Sequence, residues 1–402
     1  MKLDDYAAKA QLYLETLCSV KPNRRTGSSG NREATDFFAD TIRPYGYEID
    51  ATPFDALDYI CGGSVLTHGE AAFQVHVSPY SLGCDVLAEL ITVSIIEELK
   101  SVDCEGKILL MRGAICSEQL MPKNFRFYNP ERHQEIIALL ESQKPAGIIA
   151  ATGRQPDMVG ALYPFPMTVD GDFDIPSVYC RDTVGDVLAA LQGDSFRLQI
   201  DASRLPSSAT NVIARLNGGA SGKVVLVAHI DAYEDSPGAL DNASGVVVLL
   251  LCAEMLSDYR GDNCVEIAAF NGEDHYSAAG QMDYLKRYGD EFPGILLAVN
   301  IDDAGYKQGK SFYSFYGCSP QLEKKAEDVF WRFDGLVRGA QWSNGDHMIF
   351  VQSGVPSLAF TSECMAELMR TVTHTSADTP DIIDGHKLVE IAESLNALVR
   401  SL

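Results

Sequence analysis

The chain has 402 residues, 46% of them hydrophobic and 22% charged, with a formal net charge of −24. That is the composition of a globular protein with room for two or three domains, and it excludes a disordered chain. A surface this acidic repels phosphate backbones and anionic lipid, so nucleic-acid and membrane partners are not expected, whereas a small or peptidic substrate fits.

The opening MKLDDYAAKAQLYLETL lacks the basic start, apolar centre and small-residue cleavage site of a secretory signal. Apolar runs such as VVVLLLCAEML are too short to cross a bilayer. Both observations predict a soluble, cytoplasmic protein. Its ten cysteines form no CxxC pair and read as reduced, buried small hydrophobes.

Residues 1–57 read as helices with loops. AAKAQLYLETL has apolar residues three and four apart, VKPNRRTGSSGN is a loop, and EATDFFADTIRPYG is a second helical pattern that meets glycine at its end. Residues 58–205 change texture. KILLMRG, AGIIAAT and IPSVYC are short β-like runs, and ERHQEIIALLESQ is a helix between the first two. This is a smaller β-rich α/β module with its own core, inserted into the chain.

Residues 206–402 alternate strand and helix. NVIARL, KVVLVAH, CVEIAAF, GILLAVNID and SLAF are continuous apolar runs rich in β-branched residues, as in strands buried on both faces of a largely parallel sheet. ASGVVVLLLCAEMLSDY and GHKLVEIAESLNALVRSL are the helical counterparts. The fold class is α/β, a central, mostly parallel mixed sheet flanked by helices.

In open α/β sheets functional groups gather at the carboxyl ends of strands. KVVLVA ends in His229 and Asp231, CVEIAAF in Glu273 and Asp274, and GILLAVNI in Asp302 and Asp303. His374 stands in the loop THTSADT, and Asp241 at the start of the helix after the first strand. Zinc favours imidazole and carboxylate, and two neighbouring ions need a bridging carboxylate. His229, Asp241, Asp274, Asp302 and His374 would suffice. Asp231 is spaced to orient the His229 imidazole, and Glu273 is left as the base that takes a proton from a metal-bound water. Singly, each has a plainer reading: a polar strand end, a helix cap at Asp241-Asn242, a solvated loop at Glu273-Asp274.

In order, HID…PGALDNASG, NGED, NIDDAG and HTSADT resemble the motifs of the co-catalytic di-zinc exopeptidases. That group includes bacterial leucine-type aminopeptidases, glutamate carboxypeptidases and glutaminyl cyclases. RRTGSSGNREATDFFADTIRPYGYEIDATPF and GDHMIFVQSGVPSLAF are similar to the family's opening and late segments. The likeness covers roughly residues 10–57 and 205–402. It implies a zinc-exopeptidase fold with His229 and Asp302 on one zinc, Asp274 and His374 on the other, Asp241 between them, Asp231 behind His229, and Glu273 as the base. The family's usual glutamate pair is Glu273-Asp274 here, one methylene shorter. The inserted module resembles a protease-associated domain, which implies a wall over the site or else a structural or dimerisation element.

The resemblance implies a metallo-exopeptidase, an aminopeptidase acting on peptides with two zinc ions, or with cobalt or manganese as substitutes. Homo-oligomerisation stays open. The rivals are a carboxypeptidase, a one-zinc glutaminyl cyclase-like acyltransferase and a receptor-like relative without catalysis. Some residues are set aside. His275 follows a ligand, Asp303 follows Asp302 on what reads as the opposite face of a strand, and Asp346-His347 lies near a family pocket position. Asn242-Ala-Ser244 overlaps the site, Cys364 has no catalytic partner, and no serine sits in a GxSxG elbow.

Overall fold

A computed structural model describes residues 3–402 apart from 119, 124–128, 153–172, 221, 235, 275–277 and 344. The chain divides into two units, Met1–Ala56 with Ser207–Leu402, and Leu57–Pro206.

The first unit opens with α1 (Leu3–Ser19) and α2 (Ser29–Ile42). The Ser28 side chain accepts the N–H of Asn31 to start α2, and Ala34, Phe38 and Ile42 are buried along one stripe of it. Then come β1 (Glu48–Asp50), β2 (Val212–Leu216), β3 (Lys223–His229), α3 (Ser244–Met255), β4 (Cys264–Phe270), α4 (Ala279–Tyr288), β5 (Ile295–Ile301) and β6 (Ser311–Tyr316). The rest are α5 (Pro320–Phe330), β7 (Leu336–Arg338), α6 (His347–Gln352), β8 (Ser357–Ser362), α7 (Met365–Thr371) and α8 (Gly385–Ser401).

The sheet order is β1-β2-β4-β3-β5-β8-β6-β7. Strands β4, β3, β5 and β8 are mutually parallel at its centre, while β1 and β2 run antiparallel to their neighbours and β6 runs antiparallel to β8 but parallel to β7. Every residue of β3 and of β4 is buried, which is why both read as unbroken apolar runs. Helix α3 is apolar all round because it is enclosed, packing on β3, α1 and α8.

The structure adds strands where periodicity was silent. β1, in the segment read as helix and loop, is too short to show a period. β6, SFYSFY, carries two serines but is buried at five of six positions; Ser314 Oγ donates to the Ala340 carbonyl at 2.7 Å, so its hydroxyl is satisfied inside the fold.

The second unit has its own sheet, in which Cys84–Val93, Ile108–Met111, Gly147–Thr152 and Ser177–Arg181 run parallel in that order. Alternate residues of Ile108–Met111 feed two cores, Leu109 and Met111 on one face, Ile108 and Leu110 on the other. The helix Glu131–Gln143 buries His133, Ile136, Ile137 and Leu140, a three-and-four spacing. Among the described residues no helix is long and apolar enough to cross a membrane.

Candidate metal centre

Parallel register builds the site. His229 pairs with Phe270 across β3 and β4, and Val227 with Asn300 across β3 and β5. The residues that follow these strands, 230–231, 271–274 and 302–303, therefore emerge at one sheet edge. His229 is fully buried there.

Between β3 and α3 the chain must turn sharply. Gly238 has φ +63°, and a Cβ on it would lie 2.5 Å from Ala232 Cβ and 2.6 Å from the Asp241 carbonyl, so only glycine fits. Arg24, from the loop before α2, clamps this turn. Its guanidinium donates to the carbonyls of Ile230 (3.0 Å), Leu17 (3.0 Å), Pro237 (2.8 Å) and Gly238 (2.7 Å). Asn242, not Asp241, caps α3: its Oδ1 accepts the Gly245 N–H at 2.9 Å and its Nδ2 donates to the Ile301 carbonyl at 2.8 Å. With both ends of its buried amide engaged, Asn242 is no glycosylation acceptor in the folded chain.

Asp241 is thereby free to face inward. Its Oδ1 lies 3.1 Å from His229 Nε2 and its Oδ2 lies 3.0 Å from His374 Nε2. His229 Nε2 is also 3.4 Å from Asp302 Oδ1, and His374 Nε2 is 2.7 Å from Asp274 Oδ1. Two clusters result, His229 with Asp302 and His374 with Asp274, and Asp241 turns one oxygen to each.

Asp231 sits behind this set. Its Oδ1 is 3.6 Å from His229 Nδ1, long for a hydrogen bond. Its firmer contacts are to the loop after β4: Oδ1 accepts the Gly272 N–H at 2.8 Å and Oδ2 the Asp274 N–H at 3.2 Å, with the Glu273 N–H at 3.4 Å. Asp231 thus fixes the loop carrying Glu273 and Asp274 as well as flanking His229.

The donor set fits a divalent metal. Each Nε2 faces two carboxylate oxygens, although an imidazole nitrogen holds one proton or one lone pair and can satisfy only one of them. Among the described residues both ring nitrogens of His229, Nδ1 of His374, and Oδ2 of Asp274 are buried without an aligned hydrogen-bond partner. Ligand atoms of His229, Asp241 and Asp274 lie within 4.8 Å of one another, and so do those of Asp241, Asp302 and Asp303. A cation at each cluster would satisfy atoms that protein hydrogen bonds leave unmet.

Electrostatics match. Burial opposes a charged His229, yet Asp302, Asp231 and Asp241 together raise its pKa well above the ordinary value. The His374 ring is likewise desolvated, and Asp274 and Asp241 likewise raise it. Burial, with the charges of Asp302, Asp274 and Asp346, pushes Glu273 well above the usual carboxylate range, and burial lifts Asp274 to about 6. For Asp241 burial is outweighed by the two imidazoles, which hold its pKa down.

Some of the neighbours stand differently from their sequence reading. Asp303 follows the end of β5 with φ +52°, so strand alternation does not govern it and its carboxylate turns toward Asp241 and Asp302. Asp346 is fully buried, with Oδ1 accepting from Gln281 Nε2 at 2.7 Å. His347 contacts Asn300 and the Trp342 carbonyl, and burial lowers its pKa to about 4, away from the ligand set. His275 lies outside the described residues. Sequence reasoning passed over Arg24, Asp378 and Tyr233. The one signal for Asp378 was its place inside HTSADT; Arg24 stood in a loop whose partners lie 206 residues or more away in three of four cases.

Residues 211–399 match the model of peptidase family M28. The chain is 25% identical over 291 residues to a probable lipoprotein aminopeptidase of Mycobacterium tuberculosis, covering 69% of this chain and 54% of that protein. It is 23% identical over 377 residues to a probable leucine aminopeptidase 2 of Aspergillus oryzae, covering 89% and 72%. The chain therefore spans about half the length of the mycobacterial relative. In structure it is similar to the aminopeptidase from Aneurinibacillus sp. strain AM-1, with a TM-score of 0.76 at 23% identity over 98% of this chain and 93% of that one.

Proposed function

Through residues 211–399 the chain belongs to peptidase family M28, and from that premise we propose that it is a zinc-dependent aminopeptidase, binding two zinc ions and removing N-terminal residues from peptides. The observation that carries the reading is Asp241, whose two oxygens face two different imidazoles at 3.1 and 3.0 Å. His229, Asp302 and Asp241 would hold one ion, and His374, Asp274 and Asp241 the other. Cobalt or manganese would suit the same nitrogen and oxygen donors.

Bound zinc would lower the pKa of a water molecule and polarise the scissile carbonyl. Glu273 does the proton work. Its carboxylate takes a proton from the attacking water and returns it to the leaving amine, so the chain ends as it began. The loop that carries it is pinned through the N–H groups of residues 272–274 to Asp231, which keeps the base beside the ligands rather than among them.

Charge favours the amino end of the substrate. Asp303, Asp346 and Glu273 add carboxylates beyond the ligands. The Arg24 guanidinium is engaged by four carbonyls, and that of Arg25 faces Glu234 at 2.6 Å. Such a site attracts an α-ammonium group and repels an α-carboxylate. All ten cysteines are free, which supports a reducing compartment such as the cytoplasm.

A panel of peptides with free and blocked N-termini, run with and without a chelator, tests the proposal. Cleavage should need the free amine and vanish on chelation. Cleavage of blocked peptides from the C-terminus, or one zinc per chain with cyclisation of N-terminal glutamine, would replace the reading.

A further inference from the structure

The two imidazoles of the centre are held by different means. His229 ends a wholly buried strand and has the Asp231 carboxylate 3.6 Å from its Nδ1. His374 lies in a loop, at φ +62°, and among the described residues its buried Nδ1 has no hydrogen-bond partner. A metal-ligating histidine ordinarily donates from its second nitrogen to a carboxylate, carbonyl or water, which fixes the plane of the ring. What His374 has instead is Tyr233. The two rings lie face to face, centroids 4.5 Å apart and planes 10° from parallel.

We propose that Tyr233 is the positioning residue of His374, holding by stacking a ring whose Nδ1 has no hydrogen-bond partner among the described residues, and that the ion bound by His374 and Asp274 is the weaker and more exchangeable of the two. The inference rests on the two-ion reading above.

Stacking suits this task. The plane of the Tyr233 ring sets the plane of the imidazole, and so aims Nε2 at Asp241 Oδ2 and Asp274 Oδ1, 3.0 and 2.7 Å away. An imidazole that donates to a cation becomes electron-poor, and the negative face of a tyrosine ring attracts it, so the contact strengthens as metal binds. A stacked ring on a loop still slides and tilts more easily than the His229 ring, whose backbone is locked at the end of a wholly buried strand, hence the weaker ion. Tyr233 is two residues beyond Asp231 and four beyond His229. The stack therefore joins the loop serving one ion to the loop serving the other.

The test is a zinc titration by calorimetry, with zinc counted by elemental analysis, on the full chain as wild type, Tyr233→Phe, Tyr233→Leu and Tyr233→Ala. Wild type should bind in two separable steps. Tyr233→Phe should keep both, because the ring suffices. Tyr233→Leu and Tyr233→Ala should leave the tight step unchanged and weaken the second about 10–100-fold. Tyr233→Leu retains bulk, so a failure of Tyr233→Ala to fold leaves the comparison with Tyr233→Phe intact. An unchanged second step in Tyr233→Leu overturns the proposal, as does equal weakening of both steps, or a Tyr233→Phe protein as poor as Tyr233→Leu. One zinc per chain in wild type overturns the two-ion reading itself and this inference with it, whereas two zinc ions taken up in a single step overturn this inference alone; either result is seen before any variant is made.

Discussion

Asp378 holds Asp241 in place: Asp378 Oδ2 accepts the backbone N–H of Asp241 at 3.1 Å. Its Oδ1 accepts the N–H of Leu240 at 2.6 Å, and its own carbonyl accepts the N–H of Ala239 at 3.2 Å. Because Asp378 is four residues beyond His374, the loop of one imidazole grips the loop of the carboxylate between the two clusters. Removing the side chain strands two buried donors. Asp378→Ala should therefore lose about 2–6 kcal/mol of unfolding stability, at 1–3 kcal/mol per unmet group, and should bind zinc more weakly at both clusters. Urea denaturation in EDTA and a zinc titration measure the two effects. A variant matching wild type in both would show that the grip is incidental.

Glu273 makes the sharper test of chemistry. It stands beside a ligand yet contacts neither imidazole, so Glu273→Gln should leave zinc content alone while kcat falls about 10²–10⁴-fold, the usual range for a general base. Zinc counted in the purified variant and steady-state rates on an aminoacyl substrate separate the two quantities. Loss of zinc in step with activity would make Glu273 a ligand, not the base.

Much of this arrangement could be read ahead of the coordinates wherever local pattern and tertiary environment agree. β3 and β4 announce themselves because both faces are buried, leaving no polar interruption before His229 and Asn271. The helix Glu131–Gln143 has clean periodicity because one face is buried and the other wet. β6 and β1 stayed hidden, one for its serines and the other for its length. At the site, residues standing at the ends of apolar runs converge because the strands are parallel and in register. Arg24, Asp378 and Tyr233 act through contacts far away in sequence, 138 residues for Asp378 and Leu240, and local pattern carries no trace of such pairs. Asp303 departs from the strand pattern for a simpler reason: its left-handed backbone breaks the alternation assumed for a strand and turns its carboxylate toward Asp241 and Asp302.

The pKa shifts set a pH dependence that reverses with metal. In the metal-free chain, desolvation disfavours charge on His229 and His374, but Asp302 and Asp274 with their neighbours raise both well above the ordinary value. Burial raises Asp274 to about 6, and Asp346 and Asp378 to about 7. A group with a raised folded-state pKa binds its proton more tightly folded than unfolded. Its stabilising effect is complete below the unfolded pKa and is lost as pH rises through the folded one. Metal-free protein should thus melt lower at pH 8.5 than at pH 6; Asp241, whose pKa is lowered, opposes this but is outnumbered. Zinc requires neutral imidazoles and ionised carboxylates, so binding at pH 7 should release about two protons per chain from the histidines, and affinity should rise with pH. Calorimetry in buffers of different ionisation enthalpy counts the protons, and melting curves in EDTA and in zinc give the opposed slopes. A titration that releases no proton would mean the imidazoles are not the ligands.

Arg24 and Gly238 make the last case, because both act on the turn between His229 and Asp241 without touching either imidazole. Arg24 serves four carbonyls from one planar fork, and lysine, with a single ammonium, cannot span Ile230 and Gly238 together with Leu17 and Pro237. Gly238 stands at φ +63°, with Arg24 Nη2 2.7 Å from where a Cβ would be. Arg24→Lys and Gly238→Ala should each cost about 2–4 kcal/mol through unmet carbonyls or backbone strain, and both should shed zinc during dialysis faster than wild type. The double variant decides whether they act on one turn. If they do, its loss of stability falls well short of the sum of the single losses, since the second change strikes a turn already loosened. Strict additivity in urea denaturation would mean that the clamp and the glycine serve separate parts of the fold.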